Sequence, residues 1–308
     1  MKKQNLFPYI LTFLMVCLMV GCSLLLNEPE IIFPEITALT IGAWLAPKQV
    51  WKTSSLKLVV LIMIYAIIGV CLVRYLHMSL TFKVMLAFLL CNLGLIISHT
   101  TFAPLISACI LPILMHTESW IYPISATIMA FMIVVIQNFL QKKGDCHPYH
   151  YEPVQFDYHH EFTLFIKRFI IISILGFLAI RLDNRLLIAP PLIVAFFELS
   201  GNHKKLRSHS LKLYTFTVFM AFTGAYLRYY LTVQNHFSII WVVMLSTFIL
   251  LCCIYYFEIF FPPVGAITIL PMIIQPDLLL VYPILIASGF ALLIIAAFLI
   301  SADNSLVN

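Results

Sequence analysis

Long apolar runs constrain this chain more than any other feature. Leu56–Val73 and Ile239–Phe257 hold one charged residue between them, Lys57. About 20 such residues in a helix cross the roughly 30 Å hydrocarbon core of a bilayer. In hydrocarbon every backbone N–H and C=O must be bonded within the protein, which leaves helices and closed barrels. Barrel strands read as short alternating segments, whereas these runs are continuous. The expected fold is therefore an all-α polytopic membrane protein, with the lipid bilayer as its surroundings.

Composition agrees. Of 308 residues, 62% are hydrophobic and 10% charged, against about 25% charged in a soluble domain. The formal charge of +5 is carried mostly in short loops, where basic residues set membrane orientation. No soluble basic domain is present to hold nucleic acid. Cys17, Cys22, Cys71, Cys91, Cys109, Cys252 and Cys253 lie in or beside apolar runs, and only Cys146 falls in a polar loop. Neither a disulfide framework nor a CxxC spacing follows. A phosphate loop, a dinucleotide fingerprint and a nucleophile elbow are all missing, so no enzyme activity and no cofactor are expected. Lys2, Lys3 and the stretch ending Met19-Val20-Gly21-Cys22 resemble a lipoprotein signal. The apolar run continues to Leu26, beyond the 7–15 residues of a signal core, so Leu6–Leu26 reads as a retained first helix.

The chain repeats itself. Ser55-Leu56-Lys57-Leu58 recurs as Ser210-Leu211-Lys212-Leu213, and Gly69 with Arg74-Tyr75 recurs as Gly224 with Arg228-Tyr229. Phe102-Ala103-Pro104 matches Phe261-Pro262-Pro263, Pro112 matches Pro271, and Tyr122-Pro123 matches Tyr282-Pro283. Ordered landmarks of this kind mark a duplicated unit. Residues 1–145 form the first repeat, 146–161 a linker, and 162–308 the second. Short Pro-led segments begin at Pro34, Pro104, Pro190-Pro191 and Pro262-Pro263. Each opens an apolar run of about 13–17 residues, short of the roughly 20 a crossing needs. Proline suits a first helical turn, where its missing N–H has no partner to lose. These segments are either ordinary short helices or the discontinuous helices found near binding sites in repeat-built transporters.

Loop charges give a topology. Lys2 and Lys3 place the amino terminus in the cytoplasm, and Glu28, Glu30 and Glu35 place the next loop outside. Lys48, Lys52 and Lys57, with Lys204, Lys205, Arg207 and Lys212 in the second repeat, return to the cytoplasm. The expectation is about 12 membrane segments, 8 long and 4 short, in two tandem pseudo-symmetric halves with both termini cytoplasmic. Lys83, Arg181 and Arg185 are exceptions on the outer side. The segments Phe102–Met115 and Phe261–Ile274 either cross or turn back.

Few ionisable residues fall inside the runs, where such groups are functional candidates. Glu35 reads as a cap on the first short helix, where a carboxylate suits the positive end. Glu198 and Glu258 read as interfacial. Arg74 and Arg228 either reach for the interface or attract an anion, and His99 and His116 are proton-relay candidates. The stretch Cys146–Glu161 is rich in His, Cys and carboxylates, but its spacing matches no standard metal site, so no metal is expected. Ser107, Asn92 and Thr268 either hold helices together or line a path.

The segment Phe261-Pro262-Pro263-Val264-Gly265-Ala266 resembles the HPP family of integral membrane proteins, named for His-Pro-Pro followed by small residues. Phe261 stands where that family has His. Leu186–Ala195 and Pro34–Ala43, with Gly42, resemble the family's earlier segment, and Phe102-Ala103-Pro104 a degenerate motif. The resemblance implies two tandem units and, from members linked to nitrite, transport of a small anion. A secondary permease for a small solute is the leading expectation. Its path is expected at Pro34, Gly42, Pro104, Ser107, Pro190, Pro191, Pro262, Pro263, Gly265 and Thr268, where helix amino ends face anions. The alternative is a non-transporting scaffold or regulator, which would be packed solid.

Overall fold

The computed structural model describes residues 5–146, 154, 158–201 and 204–306, and the regular elements among them are all helical. In chain order they are α1 (Phe7–Leu26), α2 (Glu35–Thr40), α3 (Ser55–Arg74), α4 (Leu80–Ile97), α5 (Pro104–Met115), α6 (Ile121–Lys143) and α7 (Tyr158–Arg181). There follow α8 (Pro190–Ser200), α9 (Lys204–Ser208), α10 (Ser210–Leu227), α11 (Ile239–Phe257), α12 (Pro262–Ile269) and α13 (Tyr282–Leu306). Wider π-helical turns prolong α2 through Ile41–Leu45 and α10 through Arg228–Gln234. Most of the linker stretch 146–161, with its metal-ligand types, lies outside the described residues, although α7 already begins at Tyr158.

Seven helices, α1, α3, α4, α6, α7, α11 and α13, are long and apolar enough to cross a membrane. The fold is thus compatible with a multi-pass membrane protein. The sequence suggested an eighth in α10. That helix has 18 residues, but Lys212, Tyr214, Thr215, Thr217, Thr223 and Tyr226 dilute its apolar run, and it does not join the set.

Local chemistry sets the helix ends. Ser54 caps α3 by accepting from the Lys57 N–H at 3.2 Å, and Ser79 caps α4 by accepting from Phe82 at 3.4 Å. Each satisfies an amide that the first turn leaves free. Prolines occupy the first turns of α5, α8 and α12. Left-handed residues close α1 at Asn27, α5 at His116, α6 at Gly144 and α11 at Glu258, turning the chain so that terminal carbonyls find amides.

The short helices form the centre. α2 packs on α12, α8 on α5 and on α12, and α2 also touches α5. Nearly every residue of these four is buried. The long helices surround them in matching pairs: α3 on α5 and α6, α10 on α12 and α13, α1 on α11, and α7 on α4. Their outward faces stay apolar. Ile124, Ile128, Phe131, Val135 and Phe139 stripe α6, and Phe162, Ile166, Ile170, Ile174 and Phe177 stripe α7, all exposed. Water would select polar residues on those faces.

The loops sort into two ends. Lys57 Nζ donates to Ser98 O at 3.0 Å, joining the start of α3 to the end of α4. Lys83 Nζ donates to Val73 O at 3.2 Å, joining the end of α3 to the start of α4. α5 leaves from the first end, where Thr100 Oγ1 donates to Lys52 O at 2.8 Å. It finishes at His116, within electrostatic reach of Lys83. α5, 12 residues long, thus starts beside Lys52 and finishes near Lys83.

Candidate functional site at the crossing of the short helices

The frame of the site is a proline–tyrosine device used twice. Pro112 sits inside α5 and has no N–H to offer the carbonyl four residues earlier, that of Ala108. The Tyr122 hydroxyl donates to Ala108 O at 3.0 Å and fills the gap. Pro271 likewise leaves the Ile267 carbonyl open, and the Tyr282 hydroxyl donates to it at 2.7 Å. A glycine stands beside each proline. A Cβ on Gly69 would overlap Cys109 O and the Pro112 ring, and one on Gly224 would overlap Thr268 O and crowd the Pro271 ring. Small residues of this kind let helix backbones meet in a membrane.

Glu35 lies inside this frame. It is 2% exposed, and Ser107, in the first turn of α5, donates its hydroxyl to Oε1. Oε2 is buried without a hydrogen-bond partner, and Glu35 has no ion-pair partner among the described residues. Phe33 packs edge-on against Tyr122, with centroids 5.6 Å apart. Tyr122 and Tyr282 both lie within electrostatic reach of the carboxyl. Glu35, expected as an interfacial cap, does stand in the first turn of α2, with its carboxyl enclosed by neighbouring helices.

Glu198 is also buried, at 7% exposed, where the interface was expected. Trp51 Nε1 donates to its Oε1 at 3.0 Å, and the same indole covers Gly42 and meets Phe102 edge-on. The end of α8 is held by two arginines. Arg168 Nε donates to Ser200 Oγ at 2.8 Å, its Nη2 to Phe197 O at 3.1 Å, and its guanidinium lies 3.7 Å from the Phe197 ring centroid. Arg207 Nη1 donates to Gly201 O at 2.7 Å. Arg228 serves the end of α12, donating to Pro271 O and, at 2.6 Å, to Ile274 O. These bonds tie the guanidinium to the backbone that follows α12. Arg74 lies 5.8 Å from the Tyr75 ring centroid.

The expected site residues are brought to the centre, but packed shut. Pro34, Gly42, Pro104, Ser107, Pro190, Pro191, Pro262, Pro263, Gly265 and Thr268 are all buried. Gly265 presses on Thr37 and Ile41 of α2, and Thr268 Oγ1 donates to Val264 O of its own helix at 2.8 Å. Gly42 alone of these residues borders a cavity of about 30 Å³, whose lining includes Lys48, Thr53, Gln137 and Cys146, with room for one or two water molecules. The residues sequence reading missed are Glu35 and Glu198 as interior carboxyls, and Arg168. A carboxylate within two residues of a Pro-led turn was the available signal for Glu35.

At the opposite end from Lys57, Arg185 Nη1 donates to His116 Nε2 at 2.8 Å. Arginine only donates, so this nitrogen accepts and the ring is neutral. Partial burial, then the charges of Arg185 and Lys83, hold the His116 pKa below its ordinary value. The described residues hold no group of three His, Cys, Asp or Glu able to bind a metal. No family model matches the chain, and neither a curated protein nor a solved structure matches it.

Proposed function

We propose that the chain is a multi-pass permease of the cell membrane for a small solute, with both termini cytoplasmic. In this reading residues 1–145 and 162–308 are related halves joined through 146–161. Two observations support the relation: the glycine–proline–tyrosine clamp occurs once in each half, and the helix pairings recur between them. The observation that carries the transport reading is Glu35, a carboxyl enclosed where short Pro-led helices cross, with no ion-pair partner among the described residues. A group of that cost persists in an apolar interior where function requires it, and discontinuous helices surround the sites of repeat-built transporters.

The HPP resemblance supplies nitrite as the first solute to try, with related small anions beside it. Purified protein in proteoliposomes is expected to accumulate solute above empty vesicles, and Glu35→Gln to reduce the rate with folding intact. Uptake equal to empty vesicles for the whole panel, by folded protein, sinks the permease.

The closed packing of the Pro-led residues favours a second reading, a non-transporting scaffold. Ser107→Cys separates the two. In a permease a membrane-impermeant thiol reagent modifies it in the course of turnover. In a scaffold it stays unmodified while the fold holds.

A further inference from the structure

Glu35 differs from the other buried polar groups in what its surroundings leave undone. Ser107 donates to one carboxyl oxygen, the other has no hydrogen-bond partner, and no cation among the described residues pairs with it. The hydroxyls of Tyr122 and Tyr282 are committed to helix carbonyls. An ionised carboxylate is not tolerated in an apolar interior without a countercharge, whereas the neutral acid carries no charge and can place its O–H on the oxygen beside Ser107, whose Oγ then accepts instead of donating.

We infer that Glu35 is a proton-exchange site and that α2 and α5 close over it only when the proton is bound. The step is carboxylate plus proton to carboxylic acid, with the proton drawn from water and no other bond changed. When the proton leaves, the charge must be hydrated, and the α2–α5 contact at Ser107 parts to admit water. A metal cation is a poorer occupant. Hard cations take six or more oxygen ligands, and Glu35 meets one side-chain hydroxyl, with no cluster of three His, Cys, Asp or Glu among the described residues. The role of this site as the coupling step rests on the permease reading, while the proton-dependent closure stands without it.

The test uses the full chain in lipid at about pH 5.5 and about pH 8.5. Infrared difference spectra are expected to show an acid carbonyl band that bleaches as pH rises. One component of that band, separate from any due to Glu198, is lost in Glu35→Gln and shifted in Ser107→Ala, which loses the hydroxyl contact. Amide exchange over 35–45 and 104–115, corrected for its intrinsic pH dependence, is expected to rise about tenfold at the higher pH. In Glu35→Gln, a permanently neutral mimic, it should stay slow at both. Sodium in place of choline should change neither readout. A carboxylate band at both pH values, exchange that ignores pH while the band titrates, or sodium reproducing the effect of the proton would each overturn the proposal. Failed uptake with both readouts intact removes the permease and leaves the proton site standing.

Discussion

Tyr122→Phe removes one hydroxyl and keeps the ring that packs against Phe33. The Ala108 carbonyl, whose helical partner would have been the amide of residue 112, then has no donor. A buried carbonyl left unsatisfied costs about 1–3 kcal/mol, though hydrogen bonds between membrane helices have averaged nearer 0.6 kcal/mol. A loss of about 1–2 kcal/mol is therefore expected, measured by equilibrium unfolding in mixed micelles. The informative arm is Pro112→Ala. It restores an N–H to the helix, which can serve Ala108 itself, so Tyr122→Phe should cost less in that background. The double-mutant cycle is expected to give a coupling of about 1 kcal/mol, with changes at the Gly69 contact cancelling. A coupling below about 0.3 kcal/mol would refute the claim that the tyrosine replaces the missing amide. Tyr256→Phe, at a position 78% exposed, serves as the control with no expected change.

Other perturbations follow from the same geometry. Tyr282→Phe should repeat the Tyr122 result in the second half, since Pro271 and Ile267 have the same relation; an unfolding midpoint equal to wild type counts against it. Gly224→Val forces a side chain into the Thr268 backbone and should destabilise by about 1–3 kcal/mol or more through overpacking, read as the same unfolding shift. Trp51→Phe strips Glu198 Oε1 of its donor and should cost about 1–3 kcal/mol; a neutral result would show that the indole N–H is dispensable. His116 tests pH. Its pKa is lowered in the fold, so the unfolded chain binds the proton more readily and stability grows with pH. The contribution is complete above the unfolded value of about 6.5 and is lost as pH falls through the folded value. Thermal midpoints between about pH 7.5 and pH 5.5 should fall in wild type and flatten in His116→Gln.

The paired landmarks of the sequence, Gly69 with Gly224, Pro112 with Pro271 and Tyr122 with Tyr282, are residues that join helices. Gly69, Pro112 and Tyr122 were visible as a pattern because each answers a local demand: contact distance, a missing amide and a hydroxyl to replace it. The Pro-led segments were legible for the same reason, since proline announces a first turn. Depth was not legible. Glu35 and Glu198 each stand at the edge of an apolar run, and nothing along the chain says whether that edge meets water or the middle of a bundle. Arg168 was hidden because its partners, Ser200 and Phe197, lie on another helix. The π-helical turns at Ile41–Leu45 and Arg228–Gln234 carry no composition signal.

The two tyrosine caps also determine which parts of the bundle travel together. Tyr122 fastens α6 to α5 through the backbone, and the glycine contact fastens α3 to the same helix. The second half ties α13, α12 and α10 in the same way. Each trio is a block with its bonds turned inward. The seams where α2 meets α12 and α5 meets α8 are joined mainly by apolar faces, among them Gly265 against Thr37 and Ile41. A displacement along those seams would leave the bonds within each trio intact and would be resisted at two polar ties, Trp51 to Glu198 and Arg185 to His116.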